Sequence, residues 1–458
     1  MSLPLHIIIL AAGDGTRMKS DLPKVLHPVG GLSMLAHVFN TAARLDAAQV
    51  HIVYNPEHET LPGTLDHPDI NWVAQHERLG TGHAVQQAMP ELPEDCRVLV
   101  LYGDLPLLRP GSLEGLLGLP DTALGVLTME MPQPRGYGRI IRGDDSTVSA
   151  IVEEKDASER QRAITEVNTG IIIAAATRLR AWLETLRNDN AQGEYYLTDV
   201  VAAARADGTV IEGVMAGEPG DFAGANDRAQ LAQLEARLRQ RRADELMQKG
   251  VRLADPARIE IRGAVEPGRD VFIDINVVLE GNVILGDGTT IGPGCVLRDC
   301  HLAPGTRVHA YSVLEGVRTH GACDIGPFAR VRPGTELGAA SRVGNFVEIK
   351  NTSLGEGSKA SHLSYLGDSN IGRNVNIGAG TITCNYDGVN KHRTEIGDGV
   401  FIGSDTQLVA PVKIGDGANI GAGSTITKDA PKDKLTLSRS KQVTIDGWKR
   451  PRKVTRDK

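Results

Sequence analysis

The chain has 458 residues, of which 41% are hydrophobic and 23% charged, and a formal net charge of −7. This length predicts two or three domains, and the acidic balance gives no reason to expect a nucleic-acid-binding surface. Five cysteines without a CxxC pair favour reduced thiols in a cytoplasm over disulfides. The apolar run Leu5–Ala12 is too short to cross a bilayer and lacks a signal-peptide cleavage pattern, so we interpret it as a buried strand.

Short apolar segments alternate with helix-like segments over residues 1–226. This alternation predicts a Rossmann-like α/β domain with a mainly parallel sheet. In such a sheet the ligand site lies beyond the carboxyl ends of the strands. Strands are predicted at 6–10, 50–54, 97–101 and 124–128, and helices at 33–45 and 80–88.

Residues 227–250 change character, because they contain no β-branched residue and no interior glycine or proline. Leucines at 231, 234, 238 and 246 recur at helical spacing. The segment therefore predicts a linker helix between a domain at 1–226 and a second domain at 251–458.

A six-residue repeat runs from about Ile273 to Thr427, with an aliphatic residue followed by a small or polar one, as in Leu285-Gly286 and Ile291-Gly292. So many hexads in register predict a parallel β-helix. We interpret the regular hexads at 273–302 as scaffold. The hexads loosen at 330–366 and break at 384–395, and we expect a site there, since sites are grafted onto irregularities of a solenoid.

The segment Leu10–Met18 (LAAGDGTRM) follows the first predicted strand. Glycines at 13 and 15 let backbone N–H groups approach a phosphate, and Arg17 and Lys24 supply positive charge. A glycine-rich loop alone is also typical of an ordinary strand–helix turn, but the full string is more specific. Asp14 would repel a phosphate unless its side chain points to solvent. Asp104 closes a predicted strand and is interpreted as a magnesium ligand, with a turn-capping role as the alternative.

LAAGDGTRM and the following LPKV string resemble the nucleotidyltransferase family that makes sugar nucleotides from a nucleoside triphosphate and a sugar 1-phosphate. The resemblance implies that Arg17 and Lys24 are catalytic, and that Asp104 and Asn226 bind Mg²⁺. Residues 195–199 also match a family segment, although packing explains them equally well. The resemblance implies that UDP-N-acetylglucosamine is bound by Leu10, Ala11, Ala12, Gly13, Lys24, Gln75, Gly80, Thr81, Tyr102, Gly103, Asp104, Gly138, Glu153, Asn168 and Asn226.

The segment Lys359–Asp368 (KASHLSYLGD) resembles the acetyltransferase site of a bifunctional family that joins such a uridyltransferase to a left-handed β-helix. The resemblance implies acetyl transfer from acetyl-CoA to glucosamine 1-phosphate, followed by uridylyl transfer from UTP. A lone histidine is more often structural, but His362 is here the implied general base, since imidazole titrates near neutral pH. The resemblance implies that Arg332, Lys350, Tyr365 and Asn376 bind the sugar phosphate, and that Ala379, Asn385, Tyr386, Ser404, Ala422 and Arg439 bind acetyl-CoA.

Other interpretations stay open at this point. The family implies a cytoplasmic homotrimer that supplies peptidoglycan and lipopolysaccharide precursors, with no nucleic-acid or membrane partner. One alternative is a single nucleotidyltransferase whose β-helix only assembles subunits, and another is a non-enzymatic sugar-nucleotide sensor. The basic tail, 448–458, is interpreted equally well as a clamp for the phosphates of CoA or as a solvated end.

Overall fold

The computed structural model describes residues 3–143 and 146–452. The chain divides into two compact units, Met1–Gln240 and Arg241–Lys458. Within the described ranges, no helix combines the length and the apolar character that crossing a membrane requires.

The first unit is built on a nine-stranded sheet. Its strands are β1 (Leu5–Leu10), β2 (Pro28–Val29), β3 (Leu32–Ser33), β4 (Gln49–Tyr54), β5 (Ile70–Ala74), β6 (Arg97–Tyr102), β7 (Leu124–Glu130), β8 (Arg139–Arg142), β9 (Val148–Val152), β10 (Glu166–Ala175) and β11 (Ile211–Met215), of which β2 and β3 form a separate hairpin. The α-helices are α1 (Met34–Ala42), α2 (Thr81–Ala88), α3 (Glu114–Leu117), α4 (Glu159–Arg162), α5 (Ala176–Glu184), α6 (Val200–Ala206) and α7 (Arg228–Gln248), the last of which crosses the division between the units.

The strand order is β11-β7-β10-β6-β1-β4-β5, and β8 and β9 extend from β10. Only β10 runs antiparallel to its neighbours β6 and β7 on this path, so the predicted mainly parallel sheet is confirmed. Strand β1 is apolar and buried on both sides because two hydrophobic cores flank the sheet. Since β6, β1, β4 and β5 are parallel neighbours, the loops after their carboxyl ends lie along one edge.

Helix α1 is shorter than the predicted segment 33–45. Ser33 is its N-cap, and the Ser33 side chain accepts a hydrogen bond from the Ala36 N–H, which satisfies one of the free donors of the first turn. The helix ends at Ala42. The four predicted strands are present at the expected positions, and their ends differ from the prediction by one or two residues.

The second unit is a parallel β-helix with three faces around one aliphatic core, which confirms the predicted fold. One face contains Arg252–Leu253, Phe272–Ile273, Thr290–Ile291, Arg307–Val308, Asp324–Ile325, Arg342–Asn345, Lys359–His362, Asn376–Ile377, Phe401–Ile402, Asn419–Ile420 and Leu435–Thr436. The other two faces share a continuous sheet of Ile259–Pro267, Val277–Leu285, Val296–Arg298, His301–Leu302, Val313–Glu315, Val317–Thr319, Arg330–Val331, Thr335–Leu337, Glu348–Lys350, Ser353–Leu354, Tyr365–Gly367, Ser369–Ile371, Ile382–Cys384, Thr394–Ile396, Gln407–Val409, Val412–Ile414 and Thr425–Ile426.

The coils differ from the sequence interpretation in two places. Arg252 already pairs with Phe272, so the β-helix begins one coil before Ile273. At 330–366, where the hexads loosen in the sequence, the ladder is nevertheless regular, because Arg330 pairs with Glu348 and Glu348 pairs with Tyr365. The second of these coils is one residue shorter than the first, which shifts the hexad pattern in the sequence without disturbing the ladder.

The break predicted after Cys384 is an insertion between two regular strands. Tyr365 pairs with Ile382, whereas Ile382 pairs with Gln407, which is farther along the chain. The extra residues lie between Cys384 and Thr394 and form a small hairpin of their own. The coil therefore continues past the insertion, and the insertion projects from it.

Candidate active sites

The glycine-rich loop of the first unit is fixed at its base by the sheet. The Gly103 N–H donates to the Leu10 carbonyl at 2.9 Å, and the Ala11 N–H donates to the Val53 carbonyl at 2.8 Å. Beyond this anchor, Gly15 adopts a left-handed conformation with φ of 60°, which favours glycine. The Arg17 side chain is exposed and makes no ion pair within the described residues, so its guanidinium is accessible to an anion.

Lys24 connects the two residues that the sequence predicts as metal ligands. Its ammonium lies 2.6 Å from Asp104 Oδ2 and donates to Asn226 Oδ1 at 2.8 Å. Asp104 follows β6 and Asn226 precedes α7, so residues distant in sequence meet at one point. The Asp104 and Asn226 oxygens can therefore both contact a single cation.

This pair of oxygen donors fits a magnesium ion. Mg²⁺ prefers hard oxygen ligands and is commonly held by one or two protein groups plus substrate phosphates. Among the described residues, no group of three or more histidine, cysteine or acidic side chains could hold a metal by itself. A metal at Asp104 and Asn226 would therefore need further ligands from the nucleotide or from water.

The residues predicted to contact the sugar gather around a bulge in β10. The register between β10 and β7 shifts between Asn168 and Ile172, and a bulge of this kind re-aims side chains. The Asn168 N–H donates to the Gly138 carbonyl at 2.9 Å, and Asn168 Oδ1 accepts from the Gly170 N–H at 3.0 Å. A Cβ on Gly170 would lie 2.5 Å from the Tyr102 ring, so this residue leaves room for the aromatic side chain.

Burial perturbs two titratable groups beside this bulge. Burial raises the pKa of the Tyr102 phenol, and the nearby Glu153 carboxylate raises it further. Burial also raises the pKa of Glu153, although a hydrogen bond from Thr198 opposes the shift. Thr198 Oγ1 donates to Glu153 Oε1 at 3.3 Å, so the segment 195–199 contacts one of the residues that are predicted to bind the sugar.

A cleft of about 300 Å³ lies between the glycine-rich loop and the start of α2. Gln75 is buried, and its Nε2 donates to the Gly80 carbonyl at 3.3 Å and lies 3.0 Å from His83 Nδ1. Thr81 Oγ1 accepts from the Leu197 N–H at 3.0 Å. The cleft brings together Leu10, Ala12, Gly13, Asp14, Gln75, Arg78, Gly80 and Thr81. Within it, the Asp14 carboxylate is paired with the Arg78 guanidinium.

His362 lies at a corner of the β-helix, where its imidazole is exposed and oriented by an amide. His362 Nδ1 lies 2.8 Å from Asn345 Oδ1. An amide oxygen only accepts hydrogen bonds, so the contact assigns the proton of a neutral ring to Nδ1 and leaves Nε2 with a free lone pair. That arrangement allows Nε2 to accept a proton.

The predicted acetyl-CoA residues share one column with His362. Asn345 pairs directly with His362 in the ladder. The register of the following coils places Ala379, Ser404 and Ala422 at the same corner position. Neighbouring strands in a sheet are about 4.8 Å apart, so the small side chains form a continuous groove beside the imidazole. A Cβ on Gly423 would lie 3.7 Å from Arg439 Cδ, which places Arg439 at this corner too.

The predicted sugar-phosphate residues lie on the faces that meet at this corner. Arg332 and Lys350 occupy successive positions of one column, and Tyr365 lies beside them. Arg332 Nη1 lies 2.9 Å from Glu348 Oε1. Asn376 belongs to the other face, where it pairs with Lys359.

Sequence reasoning missed Lys391 and Asp368. Asp368 accepts hydrogen bonds from Asn351 at 2.6 Å and from Asn385 at 2.5 Å, and its Oδ2 lies 3.8 Å from Lys350 Nζ. Despite burial these bonds hold the pKa of Asp368 below its usual range. The adjacent Lys350 ammonium lowers the pKa of Lys391, which the inserted hairpin brings to it. Neither residue could be identified from the sequence, because the coil register brings Asp368 to Lys350 and the inserted hairpin brings Lys391 there.

The inserted hairpin itself is held by Asp387. Its carboxylate accepts from the Val389 and Asn390 N–H groups at 2.8 and 2.7 Å and lies 2.7 Å from His392 Nε2. The Tyr386 side chain is exposed, and its hydroxyl donates to the Gly388 carbonyl at 2.5 Å. The hairpin therefore has an ordered conformation from which Tyr386 projects.

Comparison with known proteins agrees with this division of the chain. A MobA-like NTP transferase domain matches residues 7–252, and the bacterial transferase hexapeptide repeat matches residues 268–299 and 393–428. The bifunctional protein GlmU of Alkalilimnicola ehrlichii is 54% identical, over 98% of this chain and 97% of that protein. GlmU proteins of Stenotrophomonas maltophilia and Xanthomonas axonopodis pv. citri are 56% and 57% identical, each over 99% of this chain and at least 99% of their own length. The chain therefore belongs to the family of the bifunctional GlmU proteins.

Proposed function

We propose that the protein makes UDP-N-acetylglucosamine in two reactions. The unit Arg241–Lys458 transfers an acetyl group from acetyl-CoA to glucosamine 1-phosphate, and the unit Met1–Gln240 then joins the product to UTP with release of pyrophosphate. The observation that carries the proposal is similarity to bifunctional GlmU proteins over nearly the whole chain. The product would supply peptidoglycan and lipopolysaccharide synthesis, and the cytoplasm is the proposed location.

Acetyl transfer needs a base for the attacking amine. As the amine nitrogen forms a bond to the thioester carbonyl carbon, His362 Nε2 accepts the proton that the nitrogen loses, and the CoA thiolate leaves. Asn345 supports this role because its Oδ1 accepts a hydrogen bond from Nδ1–H, at an N–O distance of 2.8 Å, and thereby holds the ring. Arg332, Lys350 and Lys391 would balance the charge of the sugar phosphate.

The column of Ala379, Ser404 and Ala422 supports a path for the pantetheine arm of acetyl-CoA. Each coil contributes one small side chain, so an extended chain can lie along the corner and end at His362. Asn385, Tyr386 and Arg439 are proposed to contact the remainder of the cofactor.

Uridylyl transfer requires positioning and charge compensation rather than a nucleophilic side chain. A phosphate oxygen of N-acetylglucosamine 1-phosphate attacks the α-phosphorus of UTP in line, and pyrophosphate leaves. Lys24 and Arg17 would offset the negative charge that develops. Asp104 and Asn226 would hold Mg²⁺, which when bound supplies further charge compensation to the phosphates. Tyr102, Gly138, Glu153 and Asn168 are proposed to bind the sugar.

A stack of exposed aromatic side chains beside the His362 corner supports assembly as a homotrimer. The Tyr311, Phe328 and Phe346 rings are stacked with centroids 5.4 Å apart, and Leu363 continues the apolar column. These side chains are 46–61% exposed, and an apolar patch of this kind is typical of a subunit interface. Sedimentation equilibrium should give a mass of three chains, and Phe346→Glu should lower it.

The two reactions can be separated by one substitution. His362→Asn should abolish CoA release with glucosamine 1-phosphate and leave pyrophosphate release with N-acetylglucosamine 1-phosphate and UTP intact. His320→Asn is the matched control, since His320 is another exposed histidine of the β-helix. If the unaltered protein released no CoA, the β-helix would only assemble subunits, which is the alternative function. Omission of Mg²⁺ should stop the second reaction alone.

A further inference from the structure

The loops that follow three neighbouring strands place one cation between two carboxylates at the nucleotide cleft. Asp14 follows β1, Glu57 follows β4 and Arg78 follows β5, and these strands are parallel neighbours. Their carboxyl ends therefore meet at one edge of the sheet. The Arg78 guanidinium contacts the Asp14 carboxylate, and its Nη2 lies 3.7 Å from Glu57 Oε2.

The Asp14 carboxylate is unexpected where it lies. The residue stands between Gly13 and Gly15, in the loop whose backbone N–H groups are suited to a phosphate. An uncompensated anion there would repel a triphosphate. The Asp14 and Arg78 side chains are 44% and 40% exposed, and an ion pair so exposed adds little to the stability of the fold. The pair therefore calls for an explanation in ligand binding.

Arg78 has the geometry to interact with Asp14 and a nucleotide together. A guanidinium carries five N–H donors in a planar fork, and a carboxylate uses at most two of them in one bidentate contact. Arg78 also lines the cleft of about 300 Å³ that includes Gly13 and Thr81. Asp14 and the more distant Glu57 therefore leave part of the guanidinium fork available at the cleft wall.

We propose that Arg78 is a positioning residue for the nucleotide triphosphate, because it neutralises Asp14 and presents its other N–H groups to the phosphates. The inference rests on the proposed uridylyl transfer and adds a residue to that site. It predicts a specific coupling: Arg78 matters most while Asp14 keeps its charge. A residue with a purely structural role would not depend on the charge at position 14.

A double-mutant cycle tests this coupling through the KM for UTP. Arg78→Ala should raise KM on the order of fivefold, with a smaller rise at high salt, since exposed charges are screened. Arg78→Lys should raise KM less than Arg78→Ala does, because lysine keeps the positive charge. Asp14→Asn introduced into the Arg78→Ala variant should lower KM again, and the remaining rise is the part that comes from the lost N–H contacts to the phosphates. Arg44→Ala, at an exposed arginine without an ion pair in the described chain, is the matched control.

Two results would overturn the inference. One is an unchanged KM for UTP in Arg78→Ala; the other is a rise of equal size in the presence of Asp14→Asn. CoA release should be unaffected in every variant, which shows that the unit Arg241–Lys458 is folded, and an unchanged kcat for uridylyl transfer at saturating UTP shows the same for the unit Met1–Gln240. If the unaltered protein formed no UDP-N-acetylglucosamine, the proposed function would fail, and calorimetric titration with UTP would still decide whether Arg78 and Asp14 are coupled in binding.

Discussion

His6 and His51 lie in the interior of the first unit, where His51 Nε2 is 3.1 Å from His6 Nδ1 and the Asn71 amide nitrogen is 3.2 Å from His51 Nδ1. Burial, and secondarily the neighbouring His6, lower the pKa of His51 to about 4. An unfolded histidine titrates near 6.5. The unfolded chain therefore binds more protons below that pH, and stability is lost as the pH falls from about 6.5 toward 4.

The size of this effect follows from the two pKa values. At pH 5 the contribution of His51 alone is a loss of about 2 kcal/mol in the free energy of unfolding, relative to pH 7.5. His51→Gln removes the titrating group, and the glutamine amide can still accept a hydrogen bond from Asn71 and donate one to His6. Urea unfolding at both pH values, followed by the fluorescence of Trp72 and Trp182, measures the difference. Equal losses in the variant and the unaltered protein would refute the reasoning, and His67→Gln, at an exposed imidazole, is the control.

Three further predictions concern the two sites. Asn345→Ala should lower kcat for acetyl transfer about tenfold with little change in KM, because the imidazole loses its orientation but remains present; an unchanged kcat in a CoA-release assay would contradict this. Lys24→Met should bind Mn²⁺ more tightly than the unaltered protein in the absence of nucleotide, because the lysine ammonium no longer contacts Asp104, and its uridylyl transfer should be slower. Electron paramagnetic resonance titration measures the Mn²⁺ affinity, and weaker binding would refute this expectation. Gly170→Ala should raise the KM for N-acetylglucosamine 1-phosphate and lower the temperature of half-unfolding by several degrees, because Gly170 has a φ of 87° and lies against the Tyr102 ring. Unchanged values of both would contradict this expectation.

The sequence by itself determined the repeating elements, because their periodicity is local. The aliphatic hexads predicted the β-helix, and the apolar run at Leu5–Leu10 predicted a buried strand, since each pattern follows from which side chains must face a core. The motifs around Gly13 and His362 could also be recognised in the sequence, because the residues of each motif are adjacent in the chain.

Tertiary structure decided which distant residues meet. Lys24, Asp104 and Asn226 converge only because the sheet brings a loop, a strand end and a helix start together. Coil register likewise joins Asn345 to His362 and shows that the coils at 330–366 are regular. The sequence did not predict the ion pair between Asp14 and Arg78, because it showed Asp14 only as an anion in a phosphate-binding loop. Local patterns encode elements, whereas contacts across the sheet and between coils depend on registers that no local pattern specifies.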